Sequence, residues 1–150
     1  MARFIFSLQN ILNMKEKLED QAKNDYSRAN MRLQEAEEEL EKLSERKLQA
    51  EEILKNKMLA RLDVEEIRMR ENNIEILKMY IRQQKLVVKQ REKEVEVARE
   101  HLNEAMKERK TYEKLREKAF EEFKVEENKK EQKEVDELVS YRYGTGMNEQ

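Results

Sequence analysis

The chain has 150 residues, 44% of them charged and 6% aromatic, with no Pro, no Cys and two Gly. An ordinary globular domain carries about 25% charged residues, so the surplus calls for a thin apolar seam with a large surface rather than one thick core. The formal charge of −2, from 32 basic and 34 acidic residues, argues against a dedicated nucleic-acid binder, which carries a basic excess. The missing cysteines exclude disulfides, thiol nucleophiles and Cys-type zinc sites.

The first element is expected to begin near Ser7, which is suited to cap it. Phe4, Leu8, Ile11, Met14, Leu18, Ala22, Tyr26, Ala29, Leu33, Ala36, Leu40 and Leu43 then recur in steps of three and four. Their mean step of about 3.5 is the coiled-coil period. The stripe continues weakly through Ala50 and Leu54 and loses phase around Leu59 and Leu62. Asp63-Val64-Glu65-Glu66 reads as a capping box that opens a second helix. That helix keeps the 3–4 frame through Ile67, Ile74, Leu77, Ile81, Val88, Val95, Ala98, Leu102, Ala105 and Tyr112, with Gln84, Arg91 and Arg109 in seam slots. After Tyr112 the stripe moves one step, to Leu115, Ala119 and Phe123, and fades near Leu138.

The expected architecture is therefore all-α: a long antiparallel two-helix coiled-coil hairpin with a protruding second helix and a flexible C-terminal tail. A single coiled-coil domain over 1–150 is divided into helix 1 at about 7–58, a turn at about 59–63, helix 2 at about 64–138 and a tail at 139–150. Folding back about residue 62 pairs positions whose numbers sum to about 124. Leu43 then falls near Ile81, Ala36 near Val88, and Phe4 near Phe120. The same register lays an acidic block, 34–45, beside a basic block, 78–93. Local ion pairs are expected at Glu38/Lys42, Glu51/Lys55, Glu66/Arg70 and Glu126/Lys130. Helix 2 outruns helix 1, so residues 121–137, with eight acidic and four basic side chains, have no partner in the chain. An isolated helix of that length is marginal, which makes it a natural docking element.

Catalytic chemistry finds no foothold. His101 is the lone histidine, with no second group to orient it. The glycines, Gly144 and Gly146, lie far from any phosphate-loop spacing. No spaced metal cluster appears, and the many carboxylates read as solvated helix faces. The chain is expected to be no enzyme, with no cofactor, no small-molecule substrate and no nucleic acid. Met14, Met58, Met69 and Met79 are expected to fill seam edges and turn contacts. No apolar run approaches 18 residues, and the opening Met1-Ala2-Arg3-Phe4-Ile5-Phe6 is too short for a signal segment. The expectation is a cytoplasmic chain.

Three local patterns resemble the FliJ family of the bacterial flagellar type III export apparatus. They are the aromatic-flanked opening Phe4-Ile5-Phe6-Ser7-Leu8-Gln9-Asn10-Ile11-Leu12, the segment Ile81-Arg82-Gln83-Gln84, and the ending Glu131-Gln132-Lys133-Glu134-Val135-Asp136-Glu137. The resemblance implies a hairpin similar to the γ stalk of rotary ATPases. It implies binding to the hexameric export ATPase, FliI, and to the cytosolic linker of the gate protein FlhA, together with escort of export chaperones. It further implies a monomer in isolation, peripherally associated with the inner face of the cell membrane at the flagellar base, serving motility and chemotaxis. By the same resemblance, gate binding falls on Asn73, Leu77, Tyr80 and Gln84. Asn73 stands where the family can have an aromatic, and Tyr80 where it has a small residue. Phe120, Phe123, Gln132, Lys133, Asp136 and Glu137 are the expected partner-binding residues of the protruding end. Two other classes remain open: a structural coiled coil that dimerises as a tether or scaffold, and a holdase-like hairpin chaperone using Met58, Leu59 and Leu62 at its tip.

Overall fold

The structure, a computed structural model, describes residues 2–60 and 63–148, with side chains described as far as Gly144. It is an all-α helical hairpin of two long helices, α1 (Gln9–Leu59) and α2 (Val64–Asn148). Arg61 and Leu62 of the expected turn lie outside the described residues.

Both helix starts differ in detail from the expected caps. No hydrogen bond engages the Ser7 hydroxyl among the described residues. A turn bond from Gln9 N to Phe6 O (3.1 Å) leads into α1 instead. At α2, Asp63 does cap, its Oδ1 accepting from Glu65 N at 3.2 Å. The Glu66 carboxylate does not reach back to close a capping box. It accepts from the Lys57 ammonium on α1 and from Arg70 one turn on. A full opposite charge across the turn outcompetes a neutral backbone N–H for that carboxylate.

The second helix runs to Asn148, so residues 139–148, expected as tail, are helical. The fading seam suggested an end at 138. Backbone propagation needs only one more hydrogen bond per residue and no breaker, and none occurs before Gly144. Among the described residues no glycine adopts positive φ, so Gly144 does not act as a left-handed cap.

Two compact units divide the chain: Met1–Glu19 with Ala105–Gln150, and Asp20–Glu104. In the second unit, Ala29, Ala36, Leu43, Ile74, Val88 and Val95 are buried, every one of them an expected seam position. Gln84, half-buried, donates from its amide to the Ala36 carbonyl on α1 (3.0 Å), satisfying a polar group that the seam would otherwise strand. Tyr26 accepts from Arg99 across the helix pair, which lowers the phenol from its ordinary range.

In the first unit the seam departs from the expected stripe. Met14 and Leu18 are exposed, at 57% and 43%, whereas Leu12 and Glu19 are buried at 3% and 5%. A strict 3–4 frame back from Ala22 passes through Glu19, Lys15 and Leu12, and the helix obeys the frame rather than the nearest apolar residue. Glu19 is held by Arg109, which also bonds Glu113 at 2.8 Å. Lys15 meets Glu108 at 2.8 Å and stands over the Tyr112 ring. Leu115 is likewise exposed, at 43%. Its place near the seam is taken by Arg116, which donates to Gln9 Oε1 (3.0 Å) and covers the Phe4 ring.

The expected register holds within each unit. Phe4 and Phe120 stack edge-on at 5.1 Å, on the sum of 124, and both the Lys57–Glu66 and Lys15–Glu108 pairs fall one short of it. Charge pairing differs. Of the expected i,i+4 pairs only Glu66–Arg70 forms, while Glu51 pairs with Lys47 and Glu38 accepts from Gln34. No ion pair crosses between the acidic and basic blocks among the described residues. Lys78 and Arg91 turn instead to Glu75 and Glu94 on their own helix.

Leu43→Ala should destabilise the protein by roughly 2–4 kcal/mol, the cost of a cavity in a thin seam, whereas Leu48→Ala, at an exposed site, should stay within about 0.5 kcal/mol. Urea unfolding followed by circular dichroism distinguishes the two. The ammonium of Lys57 holds the Glu66 carboxyl below the usual carboxylate range. Its stabilisation is therefore complete above the unfolded carboxyl pKa of about 4.3 and is lost as pH falls through the depressed folded value. Lys57→Met should raise the Glu66 pKa in an NMR titration and cost stability near neutrality, with the gap closing in acid.

Candidate partner-binding surfaces

Three surfaces stand out. The first is the end of α2. Phe4, preceding α1, packs its ring against Phe120 at 5.1 Å and Phe123 at 5.4 Å, and Lys124 lies over Phe120 at 4.6 Å. These aromatics are thus already engaged within the chain, although Phe120 remains 37% exposed. Beyond Glu127 the described side chains of α2 are exposed through Gly144. Gln132, Lys133, Asp136 and Glu137 all lie there, and Gln132 bonds Asp136 at 3.2 Å. Val125, Val135, Val139 and Tyr143 are exposed at 50%, 51%, 47% and 72%. Their spacing puts them on one side of the helix, roughly opposite the row that packs on α1. The seam row itself turns polar here, at Glu127, Lys130 and Glu134.

The second surface is the outward face of α2 in the Asp20–Glu104 unit. Of the four residues assigned to it by resemblance, the structure turns two inward: Leu77 is half-buried in the seam and Gln84 is bonded to α1. Asn73 and Tyr80 are exposed, Tyr80 at 48%. One residue back runs a second row with a 3–4 period: Met69, Asn72, Ile76, Met79, Gln83, Leu86, Gln90, Lys93 and Val97. Its apolar members are exposed at 57%, 39%, 41%, 67% and 51%. Met69 and Met79 therefore do not fill seam edges. Neither do Met14 or Met58, at 57% and 55%. In a two-helix hairpin, rows away from the seam have no second helix to cover them. The sequence carried this outer row as plainly as the inner one, but it was masked because Ile76 and Met79 flank the seam residue Leu77.

The third is an open groove of about 490 Å³ floored by Ala29 and Ala98, with Arg28, Arg32, Lys93 and the exposed His101 among its walls. Small seam residues leave it shallow. Among the described residues there is no cluster of three or more His, Cys, Asp or Glu suited to a metal, and no helix is long and apolar enough to cross a membrane. At the hairpin tip Met58 and Leu59 are exposed, at 55% and 82%, and Leu62 lies outside the described residues.

Such a hairpin, with polar pairs in its seam and long exposed helical rows, defines an all-α coiled-coil protein. The particular family follows from the sequence: the family model described as Flagellar FliJ protein matches residues 4–148, and the chain belongs to the FliJ family. That family is a non-catalytic component of flagellar export. No curated protein and no solved structure matches the chain.

Glu19, which is buried, and Arg109, which is half-buried, should behave as a matched unit. Glu19→Leu alone takes one of two carboxylates from Arg109, which keeps Glu113, and should lower Tm by a few degrees, as should Arg109→Leu alone, which takes the guanidinium from the buried Glu19. The double variant should recover most of the loss, because removing both charges removes the desolvation cost.

Proposed function

We propose that this protein is the coupling component of the flagellar export apparatus, joining an export ATPase ring of the FliI type to the cytosolic linker of an FlhA-type gate. The observation that carries this reading is the end of α2. After its last contact with Phe4, at Phe123, α2 continues to Asn148 without an α1 segment alongside. Its exposed apolar side chains, Val125, Val135 and Val139, offer a docking row to a surrounding partner. Gln132, Lys133, Asp136 and Glu137 supply polar contacts on the same stretch. Such contacts are individually weak, which suits a helix that exchanges partners within a ring.

Gate binding falls on the outward face of α2. Asn73 and Tyr80 contribute to it directly, with Ile76 and Met79 between them as apolar anchors. Leu77 and Gln84 act from behind, by holding α2 against α1. Escort of export chaperones, a monomeric state in isolation and a location at the inner side of the flagellar base complete the reading.

The full chain should stimulate the ATPase of the FliI-type enzyme from the same bacterium in a phosphate-release assay. Truncation after Lys124 should abolish most of that stimulation while leaving the helical signal of the hairpin in place. Undiminished stimulation by the truncated chain would refute the assignment of the ring contact to the α2 end.

A further inference from the structure

We infer that the segment docking on the outward face of α2 is an acidic amphipathic helix, recognised by the exposed cations Arg82, Lys85 and Lys89 as well as by the apolar row. The inference rests on the reading above that this face takes a partner, and adds what that partner must look like. From Ile76 to Arg91 the chain holds no acidic residue and five basic ones, in a protein with 34 acidic residues overall. Sixteen helical residues span about 24 Å, enough for a partner helix of about four turns.

Arg82, Lys85 and Lys89 are spaced by three and four, so they line one side of the outer row. All three are exposed, and none makes a hydrogen bond or ion pair with any described residue. The acidic block of α1 runs alongside the seam at this level, yet no carboxylate from it closes on them. The other side of the row carries Tyr80 and Val87, exposed at 48% and 39%, which are uncharged. A helix laid on Ile76, Met79 and Leu86 therefore meets cations along one flank and apolar or neutral groups along the other. The matching helix has apolar residues at 3–4 spacing and carboxylates concentrated on a single flank. The charged side fixes which way round it lies and speeds its arrival.

A helix fits the face better than an anionic bilayer does. The row is interrupted by the amides of Asn72, Gln83 and Gln90, which another protein's side chains satisfy and hydrocarbon does not. Its regular 3–4 period is that of a helix-packing seam.

The test uses the full chain and the gate's cytosolic linker from the same bacterium, with binding followed by fluorescence anisotropy between about 50 and about 300 mM salt, where screening changes most. Two variants are compared, Arg82→Glu/Lys85→Glu/Lys89→Glu and Ile76→Ser/Met79→Ser, with the milder Arg82→Gln/Lys85→Gln/Lys89→Gln alongside. Circular dichroism checks that each keeps its helix. The expected result is wild-type binding that weakens as salt rises, a loss on the order of tenfold or more at low salt for the charge reversal, a smaller loss for the glutamine variant, and a flattened salt dependence in both. If the linker binds and the serine variant weakens it while both charge variants match wild type at every salt, the acidic-helix inference falls and the docking face stands. If wild type fails to bind the linker, both fall. A companion titration with vesicles of phosphatidylcholine, with and without phosphatidylglycerol, separates the remaining source. Binding to the anionic vesicles that the charge reversal abolishes, without linker binding, would assign the face to a membrane surface and overturn the inference.

Discussion

Everything in this protein depends on a seam one residue row wide. Among the described residues only Leu12, Ala29, Ala36, Leu43, Ile74, Val88 and Val95 are buried apolar side chains, and no side chain is completely enclosed. With so little apolar area per residue, stability comes from length and from an unbroken 3–4 frame. That demand explains the polar groups in the seam. Glu19 with Arg109, Lys15 with Glu108 and Gln84 with the Ala36 carbonyl keep the frame where apolar residues are missing. Each has its partner on the opposite helix, so each fits one register and penalises a slip.

The frame was legible in the sequence wherever apolar residues mark it. The seam of the Asp20–Glu104 unit follows from spacing, the Asp63 cap from its residue type, and the sum of 124 that relates the helices from placing the turn at that cap. The reading failed where spacing and hydrophobicity disagree. Met14 and Leu18 look like seam residues to any count of apolar side chains, but holding frame with Ala22 requires Lys15 and Glu19. A buried carboxylate becomes acceptable only when its guanidinium is in place, and Arg109 lies 90 residues away in the sequence. Charge was the weaker guide. The opposed blocks at 34–45 and 78–93 suggest pairing across the seam, while Lys78 and Arg91 pair on their own helix and Arg82, Lys85 and Lys89 pair with no described residue, since an exposed pair gains little.

The proposed docking surfaces are legible in the sequence only in part. The unpartnered end of α2 follows from the unequal lengths of the helices, and the structure extends it to Asn148. Phe120 and Phe123 are expected at the partner-binding end, and Phe4 engages both, closing the seam with an aromatic plug before the helix goes on alone. The outward row of α2 is hard to separate in the sequence because Leu77, of the inner row, lies between Ile76 and Met79. Only the exposures of Ile76, Met79 and Tyr80 separate the two rows.

The outward row has a kinetic consequence. It offers large apolar side chains at Ile76, Met79 and Leu86 but amides at Asn72, Gln83 and Gln90, so a visitor finds footholds without a continuous dry strip. A contact of that kind would form quickly where charge guides it and dissolve quickly where little apolar area is buried. On the proposed reading, short residence would suit a component that is visited many times rather than built in once.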